Sequence, residues 1–111
     1  MYQPELYFTR HLIEDDLRRG WLDYRLATGG AAEIVNIEVA WNHRRRGVGR
    51  QLLERMIAEL PAGVKAVYAF TSQSNAAAHR WYVAMGFALH PTPKLYASMH
   101  EDAFCCVKVL A

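Results

Sequence analysis

The feature that most constrains this chain is the stretch from Glu33 to Phe70, along which the hydrophobic period changes twice. Glu33 to Ala40 (EIVNIEVA) carries Ile34, Val35, Ile37 and Val39. This β-branched run predicts a strand with at least one buried face. Val48, Leu52, Leu53, Met56, Ile57 and Leu60 then recur at helical spacing, with Arg50, Gln51, Glu54, Arg55 and Glu59 on the opposite side. That is one stripe of an amphipathic helix. Pro61 and Gly63 end it, and Val64 to Phe70 (VKAVYAF) predicts a second strand. Strand, helix and strand in this order form a βαβ unit, which favours a parallel pair and a right-handed crossover. The fold class is therefore α/β.

The rest of the chain is assigned around that unit. Trp21 to Thr28 alternates, and Thr28, Gly29, Gly30 and Ala31 make a turn into the Glu33 strand, so the two read as a β-hairpin. Leu6 to His11 predicts a further strand. Leu12 to Arg19 fits either a short helix ended by Gly20 or the far end of a hairpin. A second helix, with Ser74 placed to cap it, carries Ala78, Trp81 or Tyr82, and Met85 before Gly86 stops it. Phe87 to Leu89 is extended, His90 to Asp102 (with Pro91 and Pro93) reads as a loop, and Ala103 to Leu110 is a closing strand.

With 111 residues and no internal repeat or linker, the chain is expected to form one domain over residues 1–111. No apolar run approaches the roughly 18 residues of a membrane span, and the start lacks the pattern of a signal peptide. A cytoplasmic protein with no membrane partner is the expectation. The net charge of +2 does not by itself mark a nucleic-acid binder. Cys105 and Cys106 are adjacent, point to opposite faces of a strand and form no metal-ligand spacing, so neither a disulfide nor a metal is expected.

Charge distribution is more informative than its total. Arg44, Arg45, Arg46, Gly47, Val48 and Gly49 give R-x-x-G-x-G between the Glu33 strand and the amphipathic helix. The first N–H groups of a helix lack intrahelical partners and carry the positive end of the macrodipole. Glycines there allow close approach to the main chain, and arginines add charge, so the turn suits a pyrophosphate. It lacks the third glycine of a dinucleotide fingerprint and contains no G-x-x-x-x-G-K-[ST] run. A solvated arginine cluster is the simpler alternative. Downstream, Asn75, Ala78, Tyr82, Gly86 and Phe87 stand as N-x-x-A-x-x-x-Y-x-x-x-G-F. In the absence of other context, Asn75 would read as a helix cap and Tyr82 as a core aromatic.

Together, and in this order, the two motifs resemble the GNAT superfamily of acetyl-coenzyme A-dependent N-acetyltransferases over about Ile34 to Phe87. The resemblance implies the GNAT acyl-CoA N-acyltransferase fold, a mixed sheet whose central parallel strands splay apart around acetyl-CoA. It implies that the backbone of Ile37 and Val39 pairs with the pantetheine amides. Arg44, Arg45, Arg46, Gly47, Val48 and Gly49 would hold the pyrophosphate, Asn75 the cofactor arm, and Tyr82 would lie near the sulfur. Trp41 stands where many relatives have proline. Only 32 residues precede the Glu33 strand, so the segment that usually covers the acceptor is expected to be shortened.

Such chemistry needs a neutral amine. Deprotonation at pH 7 costs a lysine about 4 to 5 kcal/mol and an α-amine near pKa 8 about 1 kcal/mol. A carboxylate is the usual remedy. Glu33, which resembles the catalytic glutamate of the histone acetyltransferase branch, is the first candidate base and Glu38 the second. Tyr82 is the candidate acid for the departing thiolate, and the Val39 N–H the candidate oxyanion donor. No histidine is placed by the sequence to activate Cys105 or Cys106. His79 and His100 read as surface or structural groups, although His100 could border the acceptor. The acceptor is expected to be a primary amine on a peptide or protein rather than a small metabolite, and a homodimer could supply a missing wall. Two alternatives stay open: a non-catalytic acetyl-CoA-binding regulatory module, and a nucleic-acid binder using Arg44 to Arg50.

Overall fold

The computed structural model describes residues 10–92 and 102–110. Two compact units divide the chain, Met1–Val64 and Lys65–Ala111.

In the first unit, β1 (His11–Glu14), β2 (Gly20–Ala27) and β3 (Ala31–Val39) form an antiparallel meander. Leu12 to Arg19 resolves to the end of a hairpin and not to a helix. Residues 6–9 of the expected first strand lie outside the described residues. The connection is fastened by Asp15, whose carboxylate accepts from Leu17 N, Arg19 N and the Arg19 guanidinium, the closest at 2.7 Å. The Arg19 hydrogen bond holds the Asp15 carboxyl far below its ordinary range. Gly20, opposite Val39, is required by space, since a Cβ there would run into the carbonyl oxygen of Glu38.

A 3-10 turn (Trp41–His43) leads to α1 (Val48–Glu59), which packs on β1, β2 and β3. Val48, Leu52, Leu53 and Met56 of the predicted stripe are buried, against Leu22, Tyr24 and Ile34 of the strands among the core residues. The Tyr24 hydroxyl donates to Glu59 Oε1 at 2.8 Å, tying β2 to the end of α1, and His11 stacks on the Tyr24 ring.

In the second unit, β4 (Ala66–Ser72), β6 (Ala103–Val109) and β5 (Ala88–Thr92) are antiparallel, with β6 in the middle. The fifth strand extends through Pro91, in a segment expected to be a loop. Its only described partner is β6, and an edge strand tolerates proline because one row of N–H groups is unused. Between β4 and β5 lies α2 (Ala76–Ala84). Asn75 and not Ser74 is its N-cap: Asn75 Oδ1 accepts from Ala78 N at 3.2 Å. At the other end Lys108 Nζ donates to Met85 O at 2.9 Å, neutralising a terminal carbonyl. Cys105 and Cys106 both stand as thiols, the first half-buried and the second buried.

Candidate active site

The strand β3, the 3-10 turn and the start of α1 bring Ile37, Val39, Arg44, Arg45, Arg46, Gly47, Val48 and Gly49 into one short segment of the first unit. Gly47 is the N-cap of α1, with φ +79°, and no side chain caps the helix. Gln51 N makes the first intrahelical bond, to Gly47 O at 3.0 Å, so the N–H groups of Val48, Gly49 and Arg50 have no partner within the helix. A Cβ at Gly47 would project into open space, so the glycine is needed for its left-handed backbone and not to relieve crowding. Arg45 also has a positive φ, +64°, a strained conformation for a side-chain-bearing residue.

Arg44, Arg45, Arg46 and Arg50 are all exposed, and among the described residues no carboxylate pairs with any of them. Arg44 Nε donates to Val39 O at 3.2 Å, fastening the turn to the strand end. Four unneutralised cations around three unpartnered helix N–H groups fit a polyphosphate anion. Trp41 sits in the 3-10 turn with 82% of its surface exposed.

The neighbouring carboxylates are arranged by a bulge. Asp23 pairs with Asn36 and Tyr24 with Ile34, which leaves Val35 without a partner. Cross-strand partners share a face, so Glu33, Asn36 and Glu38 lie together on the side of Arg25, Asp23 and Trp21. Strict alternation would have separated the two glutamates. Glu33 Oε1 accepts from Arg25 Nε at 2.8 Å, and its side chain is only 12% exposed. Glu38 is exposed.

In the second unit Asn75 caps α2 and Tyr82 lies within it. The Asn75 carbonyl oxygen is engaged as the cap, which leaves its amide N–H groups as donors. Tyr82 is buried and packs edge-on against Trp81 and Phe87, with ring centroids 5.0 Å from each. Burial, with a smaller contribution from Cys106, pushes its phenol well above the ordinary value, so it stays a proton donor. Burial also raises the Cys106 thiol, against an opposing hydrogen bond with Thr71.

Comparison with known proteins decides what this turn and helix belong to. A family model described as the GNAT acetyltransferase family matches residues 3–87. The chain is 35% identical over 105 residues to the ribosomal protein bS18-alanine N-acetyltransferase of Salmonella typhimurium, covering 91% of this chain and 70% of that protein. Among solved structures, an acetyltransferase from Thermus thermophilus matches with TM-score 0.77 and 27% identity, covering 96% of this chain and 68% of the other. The ribosomal-protein-S18-alanine N-acetyltransferase of Escherichia coli matches with TM-score 0.71 and 26% identity, covering 92% and 70%. The chain belongs to the GNAT acetyltransferase family. Its fold is the GNAT fold, and its activity is acetyl-CoA-dependent N-acetyl transfer to an amine.

For a GNAT enzyme, sequence reasoning missed three features. The bulge at Val35 has no local signal. The Arg25–Glu33 pair depends on hairpin register. The third is a polar chain under α2: His79 Nε2 lies 2.8 Å from Thr71 Oγ1, and Thr71 Oγ1 lies 3.8 Å from Cys106 Sγ. The i, i+3 spacing of His79 and Tyr82 was a usable hint, since it places both on one helix face. His100 lies outside the described residues. Among the described residues no helix is long and apolar enough to cross a membrane, and no group of three or more His, Cys, Asp or Glu side chains could hold a metal.

Proposed function

We propose that this enzyme acetylates the α-amine of a peptide or protein, by direct attack of the amine on the thioester of acetyl-CoA. The observation that carries the reading is the left-handed Gly47 start of α1, without a side-chain cap, among four exposed arginines that no carboxylate pairs among the described residues. In this reading the N–H groups of Val48 and Gly49, with Arg44, Arg45, Arg46 and Gly47, hold the pyrophosphate. The backbone of Ile37 and Val39 pairs with the pantetheine amides, and the Asn75 amide donates to the cofactor arm.

Tyr82 gives its proton to the departing thiolate, and the Val39 N–H stabilises the oxygen that gains charge as the C–N bond forms and the C–S bond breaks. Glu33, directly or through water, takes the proton lost by the amine, with Glu38 on the same face as the alternative base. The buried, raised thiol of Cys106 is a poor nucleophile, which supports direct transfer over an acyl-cysteine. An α-amine is favoured because its deprotonation at pH 7 costs about 1 kcal/mol, several less than a lysine's. That suits a site whose first candidate base, Glu33, is already engaged by Arg25. The relative named for a ribosomal-protein alanine supports the same class of acceptor and a cytoplasmic setting.

The test is thiol release from acetyl-CoA at pH 7 with three acceptors: a peptide beginning with alanine, a lysine-containing peptide with a blocked N-terminus, and spermidine. The first is expected to react fastest. A faster reaction with either of the others removes the α-amine assignment.

A further inference from the structure

A carboxylate that takes a proton from an attacking amine must be charged beforehand and must hold one oxygen free for it. In Glu33 a single neighbour bears on both conditions. Arg25 and Glu33 are direct ladder partners in the β2–β3 hairpin, so their side chains leave the sheet on one face. The bulge at Val35 keeps this pair on the same face as the Asp23–Asn36 and Trp21–Glu38 pairs. Arg25 Nε donates to Glu33 Oε1 at 2.8 Å, with the Glu33 side chain only 12% exposed and that of Arg25 41%. Among the described residues no donor meets Glu33 Oε2. Arg10 is engaged elsewhere, 3.4 Å from Asp23. Arg25 is therefore the one cation that pairs with Glu33 among the described residues.

We propose that Arg25 is a positioning residue for the Glu33 carboxylate in acetyl transfer. The proposal rests on Glu33 being the base. A largely buried carboxylate is costly to keep charged unless a cation or a donor meets it, and Arg25 supplies both. Its bond to Oε1 also restrains the carboxylate from turning, which leaves the lone pairs of Oε2 to take the proton. As the amine nitrogen closes on the acetyl carbon, its N–H bond breaks and the electron pair stays on nitrogen. The proton passes to Glu33 Oε2, directly or through one water, and leaves to solvent after the product departs. Arg25 keeps its own proton throughout, since a guanidinium is not deprotonated in a protein. Arg25 touches neither acceptor nor cofactor in this scheme and acts only through Glu33. The contact is one Nε–Oε1 bond. It asks for a charged donor and not for a two-pronged fork, so a lysine at this position can make it too.

The experiment follows thiol release from acetyl-CoA by the full chain at about pH 7 and pH 9, with whichever of the three acceptors above reacts fastest. Arg25→Gln is expected to lower kcat at neutral pH roughly tenfold, less than the hundredfold or more of losing a general base outright, with KM for acetyl-CoA within about twofold. In the alkaline assay, where more of the amine is already neutral, most of that loss is expected to disappear. A smaller folded fraction would instead lower the rate by a similar factor in both assays. Arg25→Lys is expected to recover most of kcat, and Arg25→Gln with Glu33→Gln to be no slower than Glu33→Gln alone. The proposal is overturned if Arg25→Gln leaves kcat at neutral pH unchanged, or if its loss is as large in the alkaline assay. It is equally overturned if Arg25→Lys is as slow as Arg25→Gln, or if the two losses multiply in the double variant. Should Glu33→Gln itself keep the parent rate, the base assignment falls and the positioning role with it. A slow Glu33→Gln whose loss fades in alkali, beside an unimpaired Arg25→Gln, sinks the positioning role alone.

Discussion

The Arg44–Arg50 turn and the underside of α2 are both polar, yet they are built in opposite ways. The turn is exposed, and the groups proposed to bind the cofactor there are main-chain N–H donors oriented by one left-handed glycine. Its arginines have no ion-pair partners among the described residues and contribute mainly field. The underside of α2 is buried, and its polar side chains have partners set by packing: Tyr82 against Trp81 and Phe87, His79 against Phe104, Thr71 against Cys106. A site made from main chain tolerates changes of side chain but not of backbone conformation. A site made from buried side chains has the reverse sensitivity.

Tyr82→Phe should show the largest effect. The loss of the donor is expected to cost kcat about a hundredfold, the lower end for a general acid, while acetyl-CoA affinity measured by calorimetry changes little. An unchanged rate would remove the chemical role from the buried region. Gly47→Val tests the exposed one. Forcing a β-branched residue into φ +79° costs about 1 to 2 kcal/mol, and the turn should answer by losing roughly tenfold or more in acetyl-CoA affinity. Binding as tight as in the parent would mean that the main chain of this turn does not hold the ligand.

Arg46→Ala should weaken binding only severalfold, and the deficit should shrink as salt rises, because an exposed charge is screened over about 10 Å at 0.1 M. A deficit independent of salt would place Arg46 in a tighter contact than its exposure indicates. Glu33→Gln should slow the reaction most at neutral pH and progressively less toward pH 9, where more of the amine is already neutral. A constant loss across that range would leave Glu33 as a partner for Arg25 and no base.

The smallest effect belongs to Asp15, outside both regions. Its carboxyl is depressed by the Arg19 hydrogen bond below the ordinary 3.8, so the folded chain keeps it ionised where the unfolded chain has protonated. The stabilisation is full above about pH 4 and fades as the pH falls through the depressed value. Asp15→Asn should therefore lower Tm at pH 7, with the gap to the parent narrowing below pH 4. A gap that stays constant through acid would assign it to the turn's hydrogen bonds alone.

The chain's local order was legible where it repeats at a fixed period. The stripe from Val48 to Met56 became the buried face of α1, and the hairpin around Gly29 and Gly30 formed as the glycines predicted. The glycine turn and the tyrosine motif named the family because both depend on residues within a few positions of one another. Long-range features were hidden. The bulge at Val35, which places Glu33 and Glu38 on one face, exists only in the pairing with Asp23 and Tyr24. The extension of β5 through Pro91 depends on β6 being its only described partner.

Sequence alone determined the α/β class, the phosphate-suited turn and the membership of the GNAT family, since these rest on periodicity, backbone freedom and short-range spacing. Tertiary structure decided which side chains share a face, and so joined Arg25 to Glu33 and His79, through Thr71, to Cys106. Those contacts link residues from eight to thirty-five positions apart. Strand register and helix packing set them, and neither is encoded in any one segment.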